Sequence, residues 1–171
     1  AERLSKLEPA LEAFVVFAVI LGVTAPFTWR GFSRAPSRPS VAWLGIAALG
    51  VFDAMNALLF FSAMQHTSLA IAVLTHYLAP LLVALGAPAL LGDRWRASTL
   101  AALALALSGL VLLLEPWRPA AGIWRGAAYG GASAIFFAAN ILIAKRIQGC
   151  FTRLVLLGWH MPTALVTLAP V

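Results

Sequence analysis

The chain has 171 residues, of which 62% are hydrophobic and 11% are charged, and its formal net charge is +6. This number of charged side chains is too small to cover the surface of a soluble globular protein of this length. The composition therefore excludes an ordinary water-soluble protein. The basic residues are concentrated in short segments between apolar stretches, where they anchor helix ends, and this distribution argues against a nucleic-acid partner.

Six apolar stretches follow one another along the chain, and each has about the length that crosses a bilayer. A helix needs about 20 mainly apolar residues to span roughly 30 Å of hydrocarbon. Backbone groups that face lipid must pair within their own segment, which favours helices over strands. The predicted fold is therefore an all-α, polytopic membrane helix bundle. The predicted spans are residues 10–29, 41–64, 69–91, 97–114, 123–144 and 154–171.

The basic residues are divided unequally between the two sides of the predicted bundle. The joints after the first, third and fifth spans carry eight of them, and the opposite side carries four. Because an excess of Lys and Arg marks the cytoplasmic side, the first span should run from outside to inside. The chain then begins outside, and we expect at least one further helix upstream. The eight residues are Arg30, Arg34, Arg38, Arg94, Arg96, Lys145, Arg146 and Arg153.

An acidic residue, Asp53, lies in the middle of the second span, twelve residues after its start. At 1.5 Å of rise per residue it is roughly 18 Å deep. An ionisable group at that depth costs several kcal/mol unless it is paired, protonated or facing water. Asn56 follows three residues later and therefore lies on the same helix face. The two residues predict a substrate site or a proton pathway; the alternative is a protonated Asp53 bonded to a neighbouring helix.

Polar residues in the third span lie at a depth similar to that of Asn56. The turn between the two spans has four residues, so Asn56 and His76 both lie roughly 11 Å from it. Pro80 lacks the N–H group that would bond the carbonyl of His76, which predicts a helix kink beside a side chain that titrates near neutral pH. The predicted constellation is Asp53, Asn56, His76 and Tyr77. Ordinary packing with one interhelical hydrogen bond is the alternative.

Two later polar residues are weaker candidates. Asn140 lies near the cytoplasmic end of the fifth span and belongs either to the transport pathway or to an interhelical hydrogen bond. His160 stands close to Pro162 in the last span. The fifth span also carries a helix-packing face of small residues at four-residue spacing, because such residues let another helix approach closely. These residues are Gly126, Gly130 and Ala134.

No motif for catalysis, a metal or a cofactor occurs in the sequence. It has no Ser, His and Asp in a plausible nucleophile elbow, no Gly-rich loop between a strand and a helix, and no paired histidines for zinc. Its only cysteine, Cys150, excludes a disulfide framework and a haem attachment motif. We therefore predict no enzyme, no metal and no cofactor.

Three features together resemble the EamA-type transporters of the drug/metabolite transporter superfamily. They are an Ala-x-x-x-Thr-Ser turn between two spans, a proline within the following span and a Gly-acidic step before the next one. The Ser-Gly-Leu pattern of the fourth span fits as well. Asp93 stands where the family pattern usually has Glu, and either carboxylate suits a helix start. The residues are Ala63 to Ser68, Pro80, Gly92, Asp93 and Ser108 to Leu110.

The resemblance implies a complete protein of ten helices in two inverted five-helix repeats around a central cavity. This chain would supply helices two to seven. Residues 1–115 would form the first EamA-type repeat without its first helix, and residues 116–171 the truncated start of the second repeat. The resemblance also implies a multi-pass protein of the bacterial cytoplasmic (inner) membrane.

The predicted function is secondary transport that exports a small metabolite or drug by alternating access, coupled to protons or another gradient. The expected partners are the small-molecule substrate and the lipid bilayer, and the prediction leaves room for a homodimer. Two alternatives remain. One is a non-transporting membrane scaffold or assembly subunit whose small-residue face docks a partner helix. The other is a membrane-embedded enzyme, which would need a second ionisable group within hydrogen-bond reach of His76.

Overall fold

A computed structural model describes residues 8–32, 40–94, 97–114 and 123–169, with side chains described except at residues 29–32 and 113–114. This part of the chain contains helices and no strand, which confirms the predicted all-α membrane bundle. The helices are α1 (Pro9–Phe32), α2 (Ser40–His66), α3 (Leu69–His76), α4 (Ala79–Leu91), α5 (Ala97–Leu114), α6 (Ile123–Ile147), α7 (Arg153–Trp159) and α8 (Met161–Leu168).

The eight helices form six apolar rods that agree with the six predicted spans. Only Tyr77 and Leu78 separate α3 from α4, and only His160 separates α7 from α8. Among the described residues, four rods are long and apolar enough to cross a membrane: α1, α2, α3 with α4, and α6. Helix α5 is apolar but shorter. Large apolar side chains such as Leu105, which is 76% exposed, cover the outside of the bundle, as suits a surface that faces lipid.

Prolines account for both breaks inside the rods. Pro80 is near the start of α4 and has no N–H group to donate to the carbonyl of His76. Helix α3 therefore ends at His76. The predicted kink therefore becomes a break between two helices. Pro162 has the same place near the start of α8, so the last rod, predicted as one continuous span, is broken at His160.

Helix α6 lies in the middle of the described bundle and packs against α2, α3 and α4. Helix α1 packs against α2, α7 and α8. One buried cluster joins α1, α2 and α8, a second joins α2 to α7, and a third joins α4 to α6. The rod formed by α7 and α8 is therefore held between α1 and α2, and this places His160 beside the middle of α2.

Small residues let α6 approach its neighbours closely. A Cβ atom on Gly126 would overlap Thr67, and one on Gly130 would overlap Thr75. Ala134 is fully buried in the cluster that joins α4 to α6. The small-residue face predicted on the fifth span is thus covered by helices of this same chain.

Polar contacts join α4 and α6 at the end of the bundle that the basic residues predict to be cytoplasmic. Arg146 donates from Nη1 to the carbonyl oxygen of Leu90 at 2.9 Å, near the end of α4. Gly92 ends that helix with a φ of +73°, a conformation that glycine adopts without strain. Lys145 lies 3.9 Å from Asp93, and both are half exposed, so this ion pair contributes little to stability.

Candidate functional site

A carboxylate and an imidazole meet in the interior of the bundle. The Oδ2 atom of Asp53, in α2, lies 3.1 Å from Nε2 of His160, at the junction of α7 and α8. Their side chains are 20% and 10% exposed. Burying the Asp53 carboxyl group in the membrane costs free energy. The hydrogen bond to His160, 107 residues later in the chain, offsets this cost.

A glycine allows this pair to form. Gly50 lies one helical turn before Asp53, and a Cβ atom there would overlap the carbonyl oxygen of His160 and lie 2.9 Å from the backbone nitrogen of Ala164. The junction of α7 and α8 therefore rests directly on the backbone of α2. From that position the imidazole of His160 reaches Asp53.

The contacts of His160 indicate which of its ring nitrogen atoms carries a hydrogen. Its Nδ1 atom lies 2.6 Å from the carbonyl oxygen of Leu156, which can only accept, so Nδ1 carries a hydrogen. In a neutral imidazole, Nε2 would then present a lone pair to Asp53, and a charged carboxylate would face it with another lone pair. A hydrogen bond between them requires one more proton, held on either atom. The observed contact is therefore a hydrogen bond that needs a hydrogen between Nε2 and Oδ2.

Asn140 supports the helical turn that carries Asp53. Its Nδ2 atom donates to the carbonyl oxygen of Leu49 at 2.9 Å. Leu49 is four residues before Asp53, so this oxygen also accepts the backbone N–H of Asp53 within the helix. Asn140, one of the predicted pathway residues, thus fastens α6 to the backbone of α2 beside the pair.

A second polar pair joins α3 to α6. Nδ1 of His76 lies 2.9 Å from the hydroxyl oxygen of Ser133. Because Ser133 donates its own hydrogen to the carbonyl of Gly130 at 2.8 Å, it must accept from His76. The imidazole ring also packs against two aromatic rings: its centroid is 4.9 Å from that of Phe60 and 5.1 Å from that of Phe137.

The predicted constellation is distributed over more than one place. Asp53 belongs to the pair with His160, and His76 belongs to the pair with Ser133. Tyr77, at the break between α3 and α4, is 65% exposed, and its ring centroid is 6.3 Å from that of His76. Asn56 lies on α2 one turn beyond Asp53, and among the described residues its buried Oδ1 atom has no hydrogen-bond donor.

The sequence interpretation did not include Ser133, and it included His160 only as a weaker candidate. The sequence signal for Ser133 is a hydroxyl group beside the small-residue face of α6. His160 was a weaker candidate, although the nearby Pro162 is the same signal that draws attention to His76. Among the described residues, the hydrogen-bond partner of the His76 ring is the hydroxyl group of Ser133. Ser133 is fully buried, which does not suit a nucleophile.

We expect Ser133→Ala to lower the free energy of unfolding by about 1–3 kcal/mol, because the half-buried imidazole of His76 loses its acceptor. Ser108→Ala is the matched control, since Ser108 is exposed and bonds only the carbonyl of Ala104 in its own helix. Its effect should stay within about 0.5 kcal/mol. Thermal unfolding of the complete protein in detergent measures both. Equal losses in the two variants would contradict the role given to Ser133.

No group of three or more His, Cys, Asp or Glu side chains that could hold a metal occurs among the described residues. The fold and the site together define a polytopic helical membrane protein with two polar pairs between its helices. The family model of the EamA-like transporters matches residues 2–115, and the chain belongs to that family.

One curated relative is an uncharacterized transporter from Archaeoglobus fulgidus, which is 34% identical over 138 residues. The aligned part is 81% of this chain and 46% of the relative, so the chain spans less than half of that protein's length. No solved structure matches the chain. The chain is thus a multi-pass membrane protein of a transporter family.

Proposed function

We propose that this chain is the proton-binding part of a secondary transporter that exports a small metabolite or drug by alternating access. The complete protein would contain two inverted repeats and reside in the cytoplasmic (inner) membrane, where a homodimer is compatible with its exposed apolar surface. The observation that carries the proposal is the pair formed by Asp53 and His160, because two ionisable side chains meet between helices with a hydrogen bond between them.

The position of the pair supports a role in the conformational change. Asp53 comes before residues 115–122 and His160 comes after them, so the pair joins the two proposed repeats. The family match ends at residue 115, which is consistent with a repeat boundary there. When the shared proton leaves, the lone pair of Nε2 faces a charged carboxylate. The resulting repulsion favours movement of α7 and α8 away from α2, and hence opening between the repeats.

Acceptor atoms near the pair indicate the class of substrate. Within the described part of the chain Asn56 has a buried carbonyl oxygen without a donor, and Asp53 presents a carboxylate once the proton has left. A small molecule with N–H donors or a positive charge would satisfy both groups. The proton and such a substrate would compete for Asp53 and therefore move in opposite directions. An inward proton gradient would then drive export.

The packing of α6 favours a transporter over the scaffold alternative. A scaffold would need the small-residue face to be open to a partner helix. In this chain Thr67 and Thr75 already occupy the space beside Gly126 and Gly130. The polar groups also include an unsatisfied buried oxygen, which a purely structural bundle would have no reason to retain.

His160→Gln tests the proton role, because a glutamine amide can donate to Asp53 without binding a proton. In vesicles that contain the complete protein, we expect transport driven by a pH gradient to fall about tenfold or more, as expected when an interaction with a charged group is lost. Exchange of substrate without net proton movement should persist. The measurement is uptake of individual organic cations and amines, with a pH-sensitive dye inside the vesicles.

His66→Gln is the matched control. His66 lies at the end of α2, and its Nδ1 atom contacts the carbonyl of Ser62 in the same helix. This variant should keep both gradient-driven transport and exchange. If His160→Gln also keeps full gradient-driven transport, the pair does not couple the proton to the substrate.

A further inference from the structure

We propose that the predicted cytoplasmic end of α6 binds an anionic phospholipid, with its phosphate group at Arg146 and Lys145 and one acyl chain on each side of the helix. This site is separate from the pair of Asp53 and His160, and the proposal does not depend on the transport function. Three adjoining cavities and the charges around them carry it.

Two apolar cavities flank the end of α6 and share two of its residues. The first, between α4 and α6, has a volume of about 390 Å³ and is lined by residues that include Leu82 and Ala139. The second, between α2 and α6, has a volume of about 420 Å³ and includes Ala48 in its lining. Ile143 and Arg146 line both. One head group at Arg146 could therefore be connected to a chain in each cavity.

The length of the first cavity suits an acyl chain in one leaflet. Along α6 its lining extends from Ile135 to Arg146. Eleven residues of helix correspond to about 16 Å. Half of the bilayer's hydrocarbon thickness is about 15 Å. A chain whose head group lies at Arg146 would thus reach the middle of the membrane along this groove.

The charges at the head-group end favour a phosphate. Arg146 uses one N–H group for the carbonyl of Leu90, and its guanidinium group has further donors in the planar arrangement that matches phosphate oxygens. A third cavity of about 550 Å³ has a lining that includes Lys145, the chain neighbour of Arg146, together with Arg94 and Asp93. Three positive side chains and one negative side chain therefore line cavities at this end of the bundle. Basic pockets between helices on the cytoplasmic side are sites where anionic lipids bind.

The apolar cavities, together with the basic side chains at their predicted cytoplasmic end, favour a lipid over other occupants. A soluble anion would not use the two apolar cavities, and an apolar protein helix would leave the exposed cations at their ends without a counter-charge. A phospholipid with a negative head group satisfies both features. Because Asp93 opposes part of the positive charge, a neutral phospholipid should bind less well than phosphatidylglycerol rather than not at all.

The test compares phosphatidylglycerol with phosphatidylethanolamine retained by the complete protein after purification in mild detergent, as measured by native mass spectrometry. The double variant Arg146→Gln with Lys145→Gln should retain roughly tenfold less phosphatidylglycerol. Arg146→Lys, which keeps the charge, should recover part of the loss. Arg125→Gln is the matched control, because Arg125 is an exposed residue at the opposite end of the same helix. An equal loss in the control would overturn the proposal.

A second measurement examines the first groove directly and does not require a disruptive variant. In a Cys150→Ser background, a fluorescent bimane label on Ala139→Cys should be quenched several-fold more by brominated phosphatidylglycerol than by brominated phosphatidylcholine. Absence of quenching by either lipid would show that protein covers the groove and would overturn the proposal. Displacement of the bound lipid by glycerol phosphate at equal concentration would also overturn it, since the acyl chains would then be irrelevant.

Discussion

Asp53→Asn is expected to reduce transport driven by a pH gradient by about 10- to 100-fold, the effect of losing one interaction of a charged group. Asparagine cannot bind or release a proton under these conditions, yet its amide can donate to the lone pair of His160. The variant should therefore fold and keep α2 in contact with the junction of α7 and α8. Because it also lacks a carboxylate, it should bind cationic substrates more weakly at every pH. Vesicles that contain the complete protein provide both measurements.

Asp93→Asn is the control for this experiment. Asp93 is a half-exposed carboxylate at the end of the bundle, and it lies 3.9 Å from Nζ of Lys145. Pairs of this kind contribute little, so transport and its pH dependence should remain close to those of the unaltered protein. If Asp53→Asn transports as well as Asp93→Asn across the same pH range, Asp53 has no role in proton coupling.

Gly50→Ala is expected to lower the free energy of unfolding by about 1–3 kcal/mol, the usual effect of overpacking a close contact. The new methyl group would overlap the carbonyl oxygen of His160 and lie 2.6 Å from Cβ of Thr163. Two of the three nearest atoms belong to the backbone of the neighbouring rod, so the rod itself must move. That movement separates His160 from Asp53, and gradient-driven transport should fall together with stability.

Gly131→Ala is the matched control, because Gly131 is also inside a long helix but has no atom within 4 Å of the place where a Cβ would lie. Alanine is the better helix former, so this variant should be unchanged or more stable by up to about 1 kcal/mol. Thermal unfolding in detergent compares the two variants. An unaltered melting temperature for Gly50→Ala would contradict the close approach of the two helices.

Most of the fold could be predicted from the sequence because the bilayer imposes a length on every apolar helix. The boundaries of the six rods follow from that length and from the polar joints. The break at His76 could be predicted because Pro80 removes a specific hydrogen bond. The break at His160 follows from the same chemistry at Pro162, but the apolar pattern there continues without interruption and gives no sign of a helix end.

The site was less predictable than the fold. The depth of Asp53 could be counted along its helix, so the free-energy cost of placing a carboxyl group there was evident from the sequence. Its partner could not be found in this way, because depth does not say which helices are neighbours. The sequence made α3 the nearest candidate through a short turn, whereas the packing of α1, α2 and α8 places His160 beside Asp53. Close contacts at Gly50 decide this arrangement, and they depend on the three-dimensional order of the helices.

Nuclear magnetic resonance of the complete protein in bilayers, with labelled histidine and aspartate, tests the shared proton most directly. We predict that Nδ1 of His160 carries a hydrogen at every pH. We also predict a hydrogen between Nε2 of His160 and the Asp53 carboxyl group, so that the signals of the two groups change together. A His160 whose Nδ1 lacks a hydrogen, or an Asp53 signal that changes independently of His160, would contradict a proton shared between the two repeats.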